Sequence, residues 1–187
     1  MKLWIGFLIL IFLFILGEIF LLGTDNTLKN SASQQPVTSN RMFLKSSAFS
    51  HNGNIPSKYT CDGEDLSPPL SIKNPPKDTK SFVLIVHDPD APAKDWLHWT
   101  LWNIAPEIRE ISENTVPQGA LQGMTDFGRS GWGGPCPPSG THRYFFELYA
   151  LDTMLDIARD SNRKTMEDAL ASHVIEKAEL MAHYKRT

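Results

Sequence analysis

A mainly β, loop-rich fold with a helix near the C-terminus is predicted by three observations. The chain carries thirteen prolines and twelve glycines in 187 residues. Short apolar runs lie between the Pro/Gly clusters, as expected for strands joined by turns. A single stretch near the end has apolar residues at spacings of three and four. The length suits one domain with appendages. The formal charge is -3, from 18 Lys+Arg against 21 Asp+Glu, so no basic footprint for nucleic acid is present.

Residues 3–23 (LWIGFLILIFLFILGEIFLLG) carry one charge, Glu18. An apolar helix of this length spans a bilayer core of about 30 Å. Lys2 and the α-amine precede it and Asp25 follows, which places the rest of the chain outside the cytoplasm. The competing reading is a signal peptide, with residues 3–16 as its apolar part, although no good small-x-small cleavage site follows. The chain is thus expected at the membrane through residues 3–23, or secreted if they are removed. Residues 24–40 (TDNTLKNSASQQPVTSN) have few large apolar groups and read as a flexible tether. The folded domain is assigned to residues 41–187.

Within that domain, residues 81–86 (SFVLIV) read as a strand buried on both faces. Residues 97–104 (LHWTLWNI) and 144–151 (YFFELYAL) are rich in aromatic and other strand-forming residues. Short strands of this kind suggest an antiparallel sandwich or sheet pair. In residues 165–184, Met166, Leu170, Val174, Ala178 and Met181 follow helical spacing, and Thr165 with Asp168 resembles a capping box. This segment is expected to be one amphipathic helix, with His173 and His183 as ordinary helix residues.

Three places can carry chemistry. His87-Asp88-Pro89-Asp90-Ala91-Pro92 follows the strand 81–86, and its prolines force the chain to turn. Two carboxylates are therefore presented at a strand end, unless this is a plain Asp/Pro turn. Strict alternation puts His98 on one face with Thr100 and Trp102, opposite Leu97, Trp99 and Leu101. A histidine among tryptophans is equally a satisfied core residue. Residues 131–144 (GWGGPCPPSGTHRY) form a Gly/Pro loop whose backbone N–H groups suit an anion nest, or a surface hairpin loop. Alternation sends His142 and Tyr144 to one face and Arg143 to the other.

Asp88-Pro89-Asp90-Ala91-Pro92, then Trp96-Leu97-His98, then Pro137-Pro138-x-Gly140-x-His142-Arg143-Tyr144 resemble the phosphatidylethanolamine-binding proteins, also called Raf-kinase-inhibitor-like proteins. Tyr59-Thr60-Cys61-Asp62-Gly63, Ser67-Pro68-Pro69-Leu70, Thr125-Asp126-Phe127-Gly128 and Gly133-Gly134-Pro135-Cys136 are similar to the prokaryotic branch. The resemblance covers roughly residues 43–186. It implies a large antiparallel sheet packed on a smaller one, a helix near the C-terminus, and a small pocket for phosphate-like or carboxylate anions. By motif, Asp88, His98, His142 and Tyr144 match pocket residues, and Pro92, Pro137 and Pro138 match its walls. The chemistry fits: protonated imidazoles and a phenol donate to an anion, and Asp88 orients an imidazole or raises its pKa.

These readings make the chain a non-catalytic module that binds a small anion or phospho-head group. A hydrolase using His and Asp as acid and base is the alternative. Against it, Gly128-Arg129-Ser130-Gly131-Trp132 lacks the second glycine of a nucleophile elbow, and Ser161-x-x-Lys164 has no companion motifs. An inhibitor of an extracytoplasmic protease or kinase-like partner rests on family analogy alone. No cofactor is expected. His87, Asp88, His98 and His142 lack metal-ligand spacing, so no metal is expected. Cys61 and Cys136, the only cysteines, are expected to form a disulfide if the domain is exported, and otherwise to be two separate buried thiols.

Overall fold

The computed structural model describes residues 40–186. The predicted anchor and all but the last residue of the tether lie outside them. Among the described residues no helix is long and apolar enough to cross a membrane. The elements follow in the order β1 (Phe43–Lys45), β2 (Leu70–Lys73), β3 (Ser81–Asp88), β4 (Trp96–Ile104), β5 (Glu110–Ile111), β6 (Leu121–Gln122), β7 (His142–Leu151), α1 (Arg163–Leu170) and β8 (Val174–Tyr184).

All strand pairings are antiparallel. One sheet has three strands, β1-β2-β5, and the other five, β6-β4-β3-β7-β8. Leu44, Leu70, Ile72 and Ile111 from the small sheet share a core with Phe82, Leu84, Val86, Leu101, Phe146 and Leu148 of the large one. The opposite face of the large sheet forms a second core, where Val83, Ile85, Leu97 and Trp102 meet Met166 and Leu170 of α1. Strand β3 lies between these cores, which is why every one of its residues is buried.

The predicted helix over 165–184 is corrected. Only Arg163–Leu170 is helical, and Val174–Tyr184 is a strand. The helical stripe holds for Met166 and Leu170, which are buried. Beyond them the operative period is two: Ala178, Leu180, Ala182 and Tyr184 face the core, while Val174 is exposed. The ladder with β7, from His142↔Tyr184 to Leu151↔Val174, satisfies the backbone groups that β7 would otherwise leave open. The cap also moves. Asn162 accepts from the Thr165 N–H at 2.9 Å, so the Thr165–Asp168 box is not the helix start. His173 lies before β8 with its Nδ1 2.8 Å from Asp152, and His183 lies within β8.

Candidate functional site

The site is built at one end of β3, β4 and β7. Pro89 follows Asp88, and the chain turns before re-entering the sheet at Trp96. Asp88 Oδ1 accepts from the Asp90 N–H at 2.9 Å, closing that turn. Asp88 Oδ2 lies 2.7 Å from His142 Nδ1 on β7. Both groups are buried, so the pair is held away from competing water. The carboxylate accepts, which puts the hydrogen of His142 on Nδ1.

His98 does not keep the face that strict alternation assigned to it. Val86 pairs with Trp99 and His87 with Leu97, so His98 is an extra residue in β4. A bulge of this kind re-aims a side chain. It turns His98 to the side of Tyr144, whose ring it meets edge-on at 5.2 Å. Gly133 then clamps it twice: the Gly133 N–H donates to the His98 carbonyl at 3.1 Å, and His98 Nδ1 donates to the Gly133 carbonyl at 2.5 Å. Burial pushes the His98 imidazole below its usual range, against the Gly133 carbonyl and the Asp88 carboxylate, which pull it up. His98 is therefore neutral, with its proton on Nδ1.

The Gly/Pro loop is held rigidly. A Cβ on Gly133 would come within 2.4 Å of the Phe127 ring, and one on Gly134 within 2.4 Å of Asp65 and 2.6 Å of the Tyr59 carbonyl. The Gly134 N–H donates to Asp65 Oδ1 at 2.7 Å. Cys61 and Cys136 form a disulfide, with Cα atoms 5.4 Å apart, and the Cys61 N–H donates to the Pro135 carbonyl at 3.2 Å. The Tyr-Thr-Cys-Asp-Gly motif and the loop before His142 are thus one covalent unit.

Asp88, His98, His142 and Tyr144 are brought together. The Tyr144 hydroxyl is sealed from solvent with no hydrogen-bond partner among the described residues. Burial, followed by the Asp88 and Asp90 carboxylates, pushes its ionisation up. Nε2 of His98 and of His142 also make no hydrogen bond to the described residues, yet neither is among the sealed atoms. Pro137 is buried in the loop, whereas Pro92 and Pro138 are exposed on the turns flanking the site. Asp90 is committed elsewhere: Arg143 holds it through its backbone N–H at 2.9 Å, Nε at 2.9 Å and a terminal nitrogen at 2.6 Å.

Two features escaped the sequence reading. Phe127 meets His98 at 5.3 Å and Trp96 at 5.6 Å, both edge-on, and is the half-exposed aromatic beside the site. His87 points to the opposite face of the sheet. Its Nδ1 lies 2.7 Å from Asp95, which also pairs with Arg163 of α1 at 2.7 Å. Its Nε2 lies 3.6 Å from Glu147, which binds Lys177 at 2.5 Å. Burial works against a charge on His87, but Glu147 and Asp95 outweigh it and raise its pKa. Two polar residues near the same end of an apolar β3–β7 pairing, His87 opposite Phe145 and Glu147 opposite Ile85, were the available signal.

A separate cavity of about 480 Å³ is lined by Glu64, Asp65, Trp99, Gln122, Arg129 and Trp132, among others, and includes none of the predicted site residues. Among the described residues no group of three or more His, Cys, Asp or Glu side chains is placed to hold a metal.

A family model described as phosphatidylethanolamine-binding protein matches residues 45–185. A UPF0098 protein of Methanothermobacter thermautotrophicus is 49% identical over 150 residues, covering 78% of this chain and 99% of that protein. A UPF0098 protein of Pyrococcus horikoshii is 47% identical over 156 residues, 78% of each. The crystal structure of a phosphatidylethanolamine-binding protein homologue from Chlamydia trachomatis superposes with a TM-score of 0.77 at 40% identity, over 80% of this chain and 100% of that one. That of E. coli YbcL, described as a new member of the mammalian family, gives a TM-score of 0.75 at 31% identity, over 79% and 99%.

Proposed function

The chain belongs to the phosphatidylethanolamine-binding protein family, and from that premise we propose that it is a non-catalytic module binding a small anion, such as phosphate or a phospho-head group, at Asp88, His98 and His142. The observation that carries this reading is the matched use of the two imidazoles. Each spends Nδ1 on a fixed acceptor, Gly133 or Asp88, and each leaves Nε2 without a hydrogen bond among the described residues. Two ring nitrogens anchored to a disulfide-tied loop and a strand end form a pre-organised polar site, which lowers the ordering cost of binding. Phosphate or phosphorylethanolamine titrated into the full chain should shift the NMR signals of these histidines. Full affinity in both His98→Ala and His142→Ala, with folding retained, would sink the assignment.

The Asp88–His142 pair at 2.7 Å is also the geometry of an oriented general base, and that is the one observation favouring a hydrolase. No serine or cysteine hydrogen-bonds to either imidazole among the described residues, so the binding reading is preferred. Turnover of a phosphate or carboxylate ester abolished by His142→Ala would reverse this preference.

The extracytoplasmic placement rests on residues 3–23 and is supported by the disulfide, whose cysteines are both exposed, since such bonds persist in oxidising compartments. Protease added to intact cells should digest the domain. Protection alongside a digested external control would overturn the topology.

A further inference from the structure

We propose that the site selects an anion that carries its own proton, namely the monoanion of a phosphate monoester, over an equally charged and similarly shaped sulfate ester, because His98 presents a lone pair to the ligand and not an N–H. The inference rests on the anion-binding reading above and names the ligand class that reading leaves open.

The Gly133 carbonyl places the first hydrogen of His98. It lies 2.5 Å from His98 Nδ1, and a carbonyl oxygen only accepts. The hydrogen is therefore on Nδ1. The residue is 3% exposed and its ring is packed edge-on between Phe127 and Tyr144, at 5.3 and 5.2 Å, so a second proton would charge a poorly solvated group. The charged groups around it do not reverse this. Asp88 on β3 and Asp65 beside the Gly/Pro loop favour the cation, His87 opposes it, and burial exceeds them all. Tyr144 on β7 is held in its neutral form. Nε2 of His98 is thus an acceptor.

Asp88 strengthens the selection. Each of its oxygens already accepts one hydrogen bond, from the Asp90 N–H and from His142 Nδ1. Its charge opposes each additional negative charge brought into the site. A phosphate monoester with one proton answers both conditions: its P–OH donates to His98 Nε2, and it carries one charge fewer than the dianion. A sulfate ester has the same charge and nearly the same shape but no proton to give. Placed against His98 it leaves two acceptors facing each other, the arrangement by which buried polar sites reject analogues lacking one hydrogen.

The test is calorimetry of the full chain with methyl phosphate and methyl sulfate at pH 5.5, 6.5 and 7.5. Methyl phosphate should bind about tenfold or more tightly than methyl sulfate at pH 5.5, the loss expected for one unmatched hydrogen bond to a charged group. Its affinity should fall as the pH passes the second phosphate ionisation near about 6. In His98→Gln, whose amide offers both an N–H and a carbonyl, the preference should collapse. Equal binding of both esters by the natural chain overturns this inference and leaves the anion reading standing. Binding of neither ester overturns the anion reading itself. A preference that survives in His98→Gln removes His98 from the selection. Should that variant fail to fold, ring ¹⁵N shifts of His98 in the methyl phosphate complex decide the matter. An Nε2 that remains unprotonated is the expected result, and an imidazolium pattern overturns the proposal.

Discussion

Asp88 and Asp90 stand two residues apart in one turn and have opposite fates. Asp88 is buried against His142, while Asp90 faces Arg143 at the rim. The Arg143 guanidinium, against the cost of partial burial, holds the Asp90 carboxyl at about 2, below its ordinary 3.8. A depressed folded pKa contributes stability that is fully present above the unfolded value and is lost as the pH falls through the folded one. Asp90→Asn should therefore lower stability at pH 7 by about 1 kcal/mol, a figure discounted for the solvent around Arg143. The variant should also flatten the acid loss between pH 4 and pH 2. Chemical denaturation across that range is the measurement, and parallel curves for the two proteins would remove the ion pair from the account. His87 works in the other direction. Its pKa is raised, so its contribution is present below 6.5 and is lost as the pH climbs through the higher folded value.

At the scale of elements, β8 is the informative case. A helix over the whole of residues 165–184 would bury Met181, whereas the strand buries Leu180 and leaves Met181 only partly covered. Leu180→Ala should cost about 2–4 kcal/mol, as for a well-packed core leucine, and Met181→Ala should cost under about 1 kcal/mol. The reverse order in urea denaturation would contradict the strand. The bulge in β4 acts at the same scale: one extra residue opposite the Val86–His87 step separates His98 from the face of Trp102 and delivers it to Tyr144 and Gly133. Short edge strands β5 and β6 each close a sheet with only two residues, which limits the open edge available for pairing with other chains.

For the molecule as a whole, the Cys61–Cys136 bridge joins segments 75 residues apart. Closing a loop of that length restricts the unfolded chain by about 4 kcal/mol in the chain-entropy account. Reduction should then lower the melting temperature of the domain by roughly 8–16 °C. Both cysteines are exposed, so a mild reductant reaches the bond in the folded protein. Because Cys136 lies three residues beyond Gly133, reduction should also loosen the carbonyl that holds His98 and weaken phosphate binding. Thermal melts with and without reductant check the first effect and calorimetry the second. An unchanged melting temperature with the bond demonstrably reduced would show that the bridge does not set stability.

The sequence by itself determined what depends on local pattern and on residue chemistry. The run SFVLIV read as a doubly buried strand, because only apolar, β-branched and aromatic side chains suit a layer covered on both faces. The motifs around Asp88, His98 and His142 pointed to one polar cluster, and the two cysteines had no other partner in the chain. Tertiary structure decided the rest, because it depends on neighbours distant in sequence. The apolar residues after Leu170 fit a helix as a periodic pattern, yet the open edge of β7 captured them as a strand. His98 reached the site through a register shift against β3, which no alternation rule in β4 alone contains. Its proton was placed by a carbonyl 35 residues away, and that placement distinguishes a donor from an acceptor.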